Sequence, residues 1–192
     1  ARIKNEMSEP TGTDFAKGNP FWEFATEAYS QPGIDKALLS LQSRMGVDIN
    51  MVLFCVWLAY RGSNGNDLAQ HLASALKMSR EWQRDLVEPV RTCRENLKVI
   101  IDGPDLIGRN REAATALRER LKANELDLEA LQIIGLYGLV STGDHDDGAP
   151  VDIATQKEDA QNNLNVYFAA TGVTLDHLAQ SHVLRILNGV FQ

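Results

Sequence analysis

The residues with the most evident chemical potential lie in one short stretch, Gly143-Asp144-His145-Asp146-Asp147-Gly148. Carboxylates and a histidine between glycines could hold a hard cation such as calcium. Setting Gly148 at the glycine position of a calcium loop puts Gly143 first and His145 third, and leaves Ala154 where a bidentate glutamate belongs. The pattern therefore fails as an EF-hand, and a solvated acidic loop accounts for it better. The histidines show no ligand spacing: His177 and His182 would lie about 140° apart around a helix. There is no His-Glu-x-x-His and no Cys-x-x-Cys, so no metal and no cofactor is expected. Gly-x-Ser-x-Gly, a phosphate-cradling glycine loop and a dinucleotide fingerprint are also missing, and no catalytic residue is assigned.

A charge pattern is more informative. At 100° per residue, Arg84, Arg91, Arg94 and Lys98 all return to within about 40° of Arg80. Trp82, Leu86, Pro89, Cys93 and Leu97 fall opposite. A basic stripe in a chain of net charge −7 could dock an acidic protein segment, a phosphorylated ligand or RNA. Most charge runs are simply solvated, and this one could also pair with Glu125, Asp127 and Glu129 of a neighbouring helix. The aromatic residues Phe21, Trp22, Phe24, Trp57, Tyr60 and Trp82 could line a pocket, with Trp22, Trp57, Tyr60 and Trp82 as the candidates. Aromatics at helical spacing are more often core. Asn162, Asn163, Asn165 and Tyr167 form a polar cluster, which either faces a ligand or neighbouring helix or is simply exposed.

These residues must be positioned by helices. Asn19-Pro20 reads as a cap and first turn, followed by a helix that Pro32-Gly33 ends. A second helix runs from Ile34 to a cap at Gly46. Asp48 caps a third, Ile49 to Tyr60, apolar on nearly every side and so expected at the centre of a bundle. A fourth begins at Asp67. Ser79 caps a fifth, which Pro89 should kink. Further helices run through Leu106 to Leu121, from Asn124 to Leu139, from Asp152 to Ala170 with Gly172 ending it, and from a cap at Thr174 to Val190. The expected architecture is all-α, an irregular bundle of about nine short helices without a sheet. Residues 1–18 read as a loose arm, 19–192 as a single helical domain, and 141–150 as a polar loop within it.

The 192 residues, 44% hydrophobic and 23% charged, are an ordinary globular composition. The acidic balance argues against DNA binding over the whole surface. The longest apolar run, Met51 to Tyr60, is far short of the roughly 20 residues that span a bilayer, so no membrane association is expected. No signal peptide is visible, and the chain opens with Ala, which makes Met7 one candidate start after Ala1 to Glu6. Cys55 and Cys93 read as two buried free thiols in a cytoplasmic protein, a disulfide between packed helices being the rival.

Several ordered motifs carry a resemblance. They are Phe21-Trp22-Glu23-Phe24-Ala25, Tyr29-Ser30-Gln31-Pro32-Gly33-Ile34, Leu39-Ser40-Leu41-Gln42, the run Asp48 to Ala59, and Trp82 to Arg91 with Arg94 and Leu97-Lys98. Over roughly residues 20–140 the chain resembles a proteobacterial family of short helical proteins known only as a domain of unknown function. The resemblance implies an all-α bacterial domain and no particular chemistry. The expected function is then a non-enzymatic protein-interaction or regulatory module docking an anionic partner through its basic helix. The alternative is a small-molecule-binding helical protein or enzyme with an aromatic-lined pocket.

Overall fold

The computed structural model describes residues 12–62, 66–104, 107–140 and 152–192. Seven α-helices and one 3₁₀ turn, Gly12–Ala16, make up its regular structure, and there is no strand among the described residues. Helices α1 (Pro20–Ser30), α2 (Ile34–Met45) and α3 (Ile49–Tyr60) stand where the sequence puts them. Asn19 Oδ1 accepts from the Phe21 and Trp22 amides, and Asp48 Oδ1 from the Asn50 amide at 2.8 Å. Gly46 closes α2, and Gly172 the helix Ile153–Thr171, in the left-handed conformation, where a Cβ would be strained.

The count of nine is corrected by two fusions. The segments Asn66–Trp82, Gln83–Val87 and Glu88–Asp102 run on as one helix, α4, with a π turn in the middle. Ser79 does not cap a new helix; its hydroxyl donates to Asp48 Oδ2 at 2.6 Å. The disturbance expected at Pro89 takes the form of this π turn: the Glu88 amide reaches back to Gln83 O. Proline has no amide for the i−4 carbonyl, and a widened turn ahead of it accommodates the loss. Likewise Arg109–Val140 is one 32-residue helix, α5, and Asn124 lies within it rather than capping a new one. The expected opening of that helix at Leu106 lies outside the described residues, as do the acidic loop at 143–148 and His145. Helix α6 (Ile153–Thr171) lies where the sequence puts it, with Asp152 as its cap: the carboxylate accepts from the Thr155 amide. Helix α7 (His177–Val190) is capped by Asp176 rather than Thr174, its Oδ1 accepting from the Ala179 amide.

α3 is the hub. Every residue from Asn50 to Ala59 is buried, and α6 is the helix it packs against most extensively. Trp57 is 4% exposed, as its place in the most apolar helix implies, with its ring 5.0 Å from that of Phe21. One hydrophobic cluster joins all seven helices. Asn163 of α6 donates to Cys55 O of α3 at 3.0 Å, and the Tyr167 hydroxyl accepts from the Asp48 amide at 3.2 Å. Half of the asparagine cluster is therefore an interhelical clamp, while Asn162 and Asn165 face solvent. Of the segment read as a loose arm, residues 1–11 lie outside the described residues; the 3₁₀ turn packs on α5 with Ala16 fully buried. Cys55 is buried and Cys93 exposed, both as free thiols, so the expected burial of Cys93 is corrected.

Candidate ligand cleft

α1 buries Phe21, Phe24, Ala25 and Ala28 against the core. That leaves Trp22, Thr26 and Tyr29 on an adjoining face, which forms one wall of a cleft of about 850 Å³. Leu39 and Gln42 of α2 and Ile49 and Leu53 of α3 continue this largely apolar wall. The opposite wall is polar and comes from the two fused helices: Gln83, Arg91 and Arg94 of α4, with Glu119, Lys122, Glu125 and Glu129 of α5. A cavity of this size, mostly apolar with a few convergent polar groups, has the form of a small-molecule site.

The charged wall is organised around Glu125. Arg91 Nε donates to Glu125 Oε1 at 2.6 Å, and its terminal nitrogen to Glu129 Oε1 at 2.9 Å. Arg94 Nε donates to Glu125 Oε2 at 2.6 Å and also pairs with Glu95 at 2.8 Å. Burial opposes the Glu125 charge, but the hydrogen bonds from Arg94 and Arg91 outweigh it and hold the carboxyl below its usual range. Glu129 falls on the other side of that balance. Burial, reinforced by the nearby Glu125 and Asp48, overcomes Arg91 and pushes the carboxyl up to about 7.

Beside this wall lies a second polar knot. Asp48 Oδ2 accepts from Ser79 and from Gln132 Nε2, the latter at 2.5 Å. Gln132, fully buried, also accepts from Asn50 and Gln83 at 2.9 Å each. Burial raises the Asp48 carboxyl despite these neutral donors. Burial also raises the Tyr29 phenol, with Glu129 and Asp35 adding to it. Among the described residues no three His, Cys, Asp or Glu side chains gather as metal ligands.

The structure divides the predicted basic stripe. Arg80, Arg84 and Lys98 are exposed, and Arg84 pairs with its neighbour Asp85 at 2.6 Å. Arg91 and Arg94 instead turn inward onto α5. The π turn separates Arg80 and Arg84 from Arg91 and Arg94: one extra residue in the turn rotates everything after it by about 100° relative to a regular helix, and Lys98, on the rotated face, is exposed there. The same rotation buries Val87 and leaves Leu86 and Cys93, expected on the apolar side, at the surface. Of the four aromatic candidates, Trp22 alone lines the cleft. Trp57 is core, Tyr60 lines a shallow depression of about 60 Å³ with Phe24 and Gly189, and the Trp82 indole donates to Leu128 O at 2.8 Å.

Asp48, Gln83, Glu129 and Gln132 line or adjoin the cleft, yet no motif in the sequence marks them as a site. Asp48 was visible as a cap, and Glu129 as a possible partner of the stripe. Gln132 had a weaker signal, a lone amide in an otherwise apolar stretch.

The arrangement defines an all-α protein with an amphipathic cleft between an aromatic wall and an ion-paired wall. No helix among the described residues is long and apolar enough to cross a membrane. By sequence the chain belongs to the family DUF2390, described as a protein of unknown function, which matches residues 20–136. That span includes every cleft-lining residue named above. No curated protein and no solved structure matches the chain.

Proposed function

We propose that this is a small-molecule-binding helical protein, and that the 850 Å³ cleft between α1, α2, α3, α4 and α5 is its site. The observation that carries this reading is convergence. A mostly apolar cleft brings Trp22 and Tyr29 opposite Glu129, a carboxyl raised to about 7, and perturbed groups in clefts mark functional sites. Two free cysteines, one of them exposed, fit a reducing cytoplasmic setting. Ala123 is exposed and lines the cleft, so Ala123→Trp obstructs part of it from the surface without changing a core residue. A screen of small amphipathic compounds by ligand-observed NMR should find saturable binders for the wild type that this variant loses. A screen without binders, or binders that Ala123→Trp retains, sinks the reading.

A second reading keeps the docking of an anionic protein segment. What supports it is exposed basic and apolar surface on α4, Arg80 and Arg84 ahead of the π turn and Lys98, Val99, 73% exposed, and Ile100 beyond it. Replacing those three cations with Gln should abolish salt-sensitive capture of an acidic peptide while leaving small-molecule binding intact.

A further inference from the structure

The two walls differ in how their charges are answered. Four carboxylates line the cleft, Asp48, Glu119, Glu125 and Glu129, against three cations, Arg91, Arg94 and Lys122. Arg91 is already engaged by Glu125 and Glu129, and Arg94 by Glu125 and Glu95. Among the described residues, Asp48 accepts from neutral donors only. Glu129 Oε1 takes the Arg91 bond, and among the described residues Oε2 accepts none. The cleft therefore holds an uncompensated negative charge beside two aromatic rings.

We propose that the cleft takes an organic cation: an apolar or aromatic body bearing an ammonium group, its nitrogen seated between Glu129 and the rings of Trp22 and Tyr29. This rests on the cleft being a ligand site. An ammonium supplies the charge that Asp48 and Glu129 lack, and aromatic faces attract cations while accepting an apolar body. Burial raises the pKa of both carboxyls, so each would gain from a cation brought beside it. An anionic head group that reached Arg91 or Arg94 would have to displace Glu125 and strand a buried carboxylate, and beside Trp22 and Tyr29 it would meet Glu129; only Lys122, exposed, could answer it without that cost. The groups facing Glu129 are Tyr29 from α1, Asp48 from α3, Arg91 from α4 and Glu125 from its own helix.

The test is calorimetric titration with three matched probes, phenylbutylammonium, phenylbutanol and phenylbutanoate. The ammonium should bind roughly ten- to hundredfold tighter than the alcohol, the range for a hydrogen bond to a charged group. Its affinity should fall by up to about tenfold per pH unit below pH 7 as Glu129 protonates. Glu129→Gln should bring the ammonium to the level of the alcohol and leave the alcohol unchanged. Should that variant fail to fold, the pH series on the wild type reads the same carboxyl. If the alcohol or the carboxylate binds as well as the ammonium, or the ammonium shows no pH dependence, the cleft stands and this inference is overturned. If no probe binds, the reading of the cleft as a ligand site is overturned, and this inference with it.

Discussion

Asp48 answers several donors at once: the Asn50 amide at the start of α3, the Ser79 hydroxyl from α4 and the Gln132 amide from α5. Asp48→Ala should therefore cost about 2–4 kcal/mol in urea unfolding, about 1 from the lost cap and about 1–3 from stranding the other donors. Asp48→Asn keeps a capping oxygen and removes a buried charge. Because the folded carboxyl is raised, its stabilising contribution is complete below the ordinary aspartate range and is lost as pH rises through the folded value. The Asn variant should thus gain on the wild type as pH rises. Glu129 follows the same sign across a defined window, from its ordinary 4.5 up to about 7. Between those limits the stability of the wild type relative to Glu129→Gln should decline, and a flat difference would contradict the burial described for this carboxyl. At this scale the sequence is half legible. Asp48 announces itself as a cap because capping is local chemistry. Its role in joining three helices, like the burial of Gln132, depends on helices 31 and 84 residues away, and no local pattern records that.

Helix α4 shows why a regular wheel misplaces a face. A 100° projection is correct on each side of residues 83–87 and wrong across them. The aligned arginines therefore end on different surfaces, two of them on the buried Glu125. Pro89 was a readable sign of disturbance, but proline kinks, breaks or widens a helix according to what packs around it. A π turn behaves as one inserted residue, which yields a sharp expectation. Deleting Asp85 together with Pro89→Ala should give a plain helix whose inward faces stay in register, with thermal stability close to wild type. Deleting Thr92 in the regular portion should swing Arg94 away from Glu125 and destabilise the protein. Removing both guanidiniums, Arg91→Gln with Arg94→Gln, should cost about 3–5 kcal/mol, because it strands a buried carboxylate. Arg84→Gln, at the surface, should change stability by no more than about 0.5 kcal/mol. The two fusions were illegible for a related reason. Ser79 and Asn124 have capping side chains, yet Ser79 spends its hydroxyl on Asp48, and no turn interrupts α5 around Asn124.

For the molecule as a whole, the all-helical class and the central place of α3 were legible because both follow from apolar patterning alone. Trp57→Ala should cost about 3–5 kcal/mol, and iodide should barely quench the native Trp57 fluorescence. The family match stops at residue 136, while the packing does not. α3 leans on α6 more than on any other helix, with Asn163 clamped to Cys55 O and Tyr167 to the Asp48 amide. A fragment of residues 20–140 should accordingly fail to give a dispersed NMR spectrum, although all the cleft-lining residues are in it. The same dependence bears on synthesis. A ribosome delivers α3 about 90 residues before α6 begins, an interval of roughly 5 to 20 s at ordinary elongation rates. Throughout it, a twelve-residue segment carrying Met51, Phe54 and Trp57 lacks the helix that will cover it most. A pause in translation between the codons for residues 60 and 153 should lengthen that exposure and lower the soluble yield, while a pause after residue 171 should not.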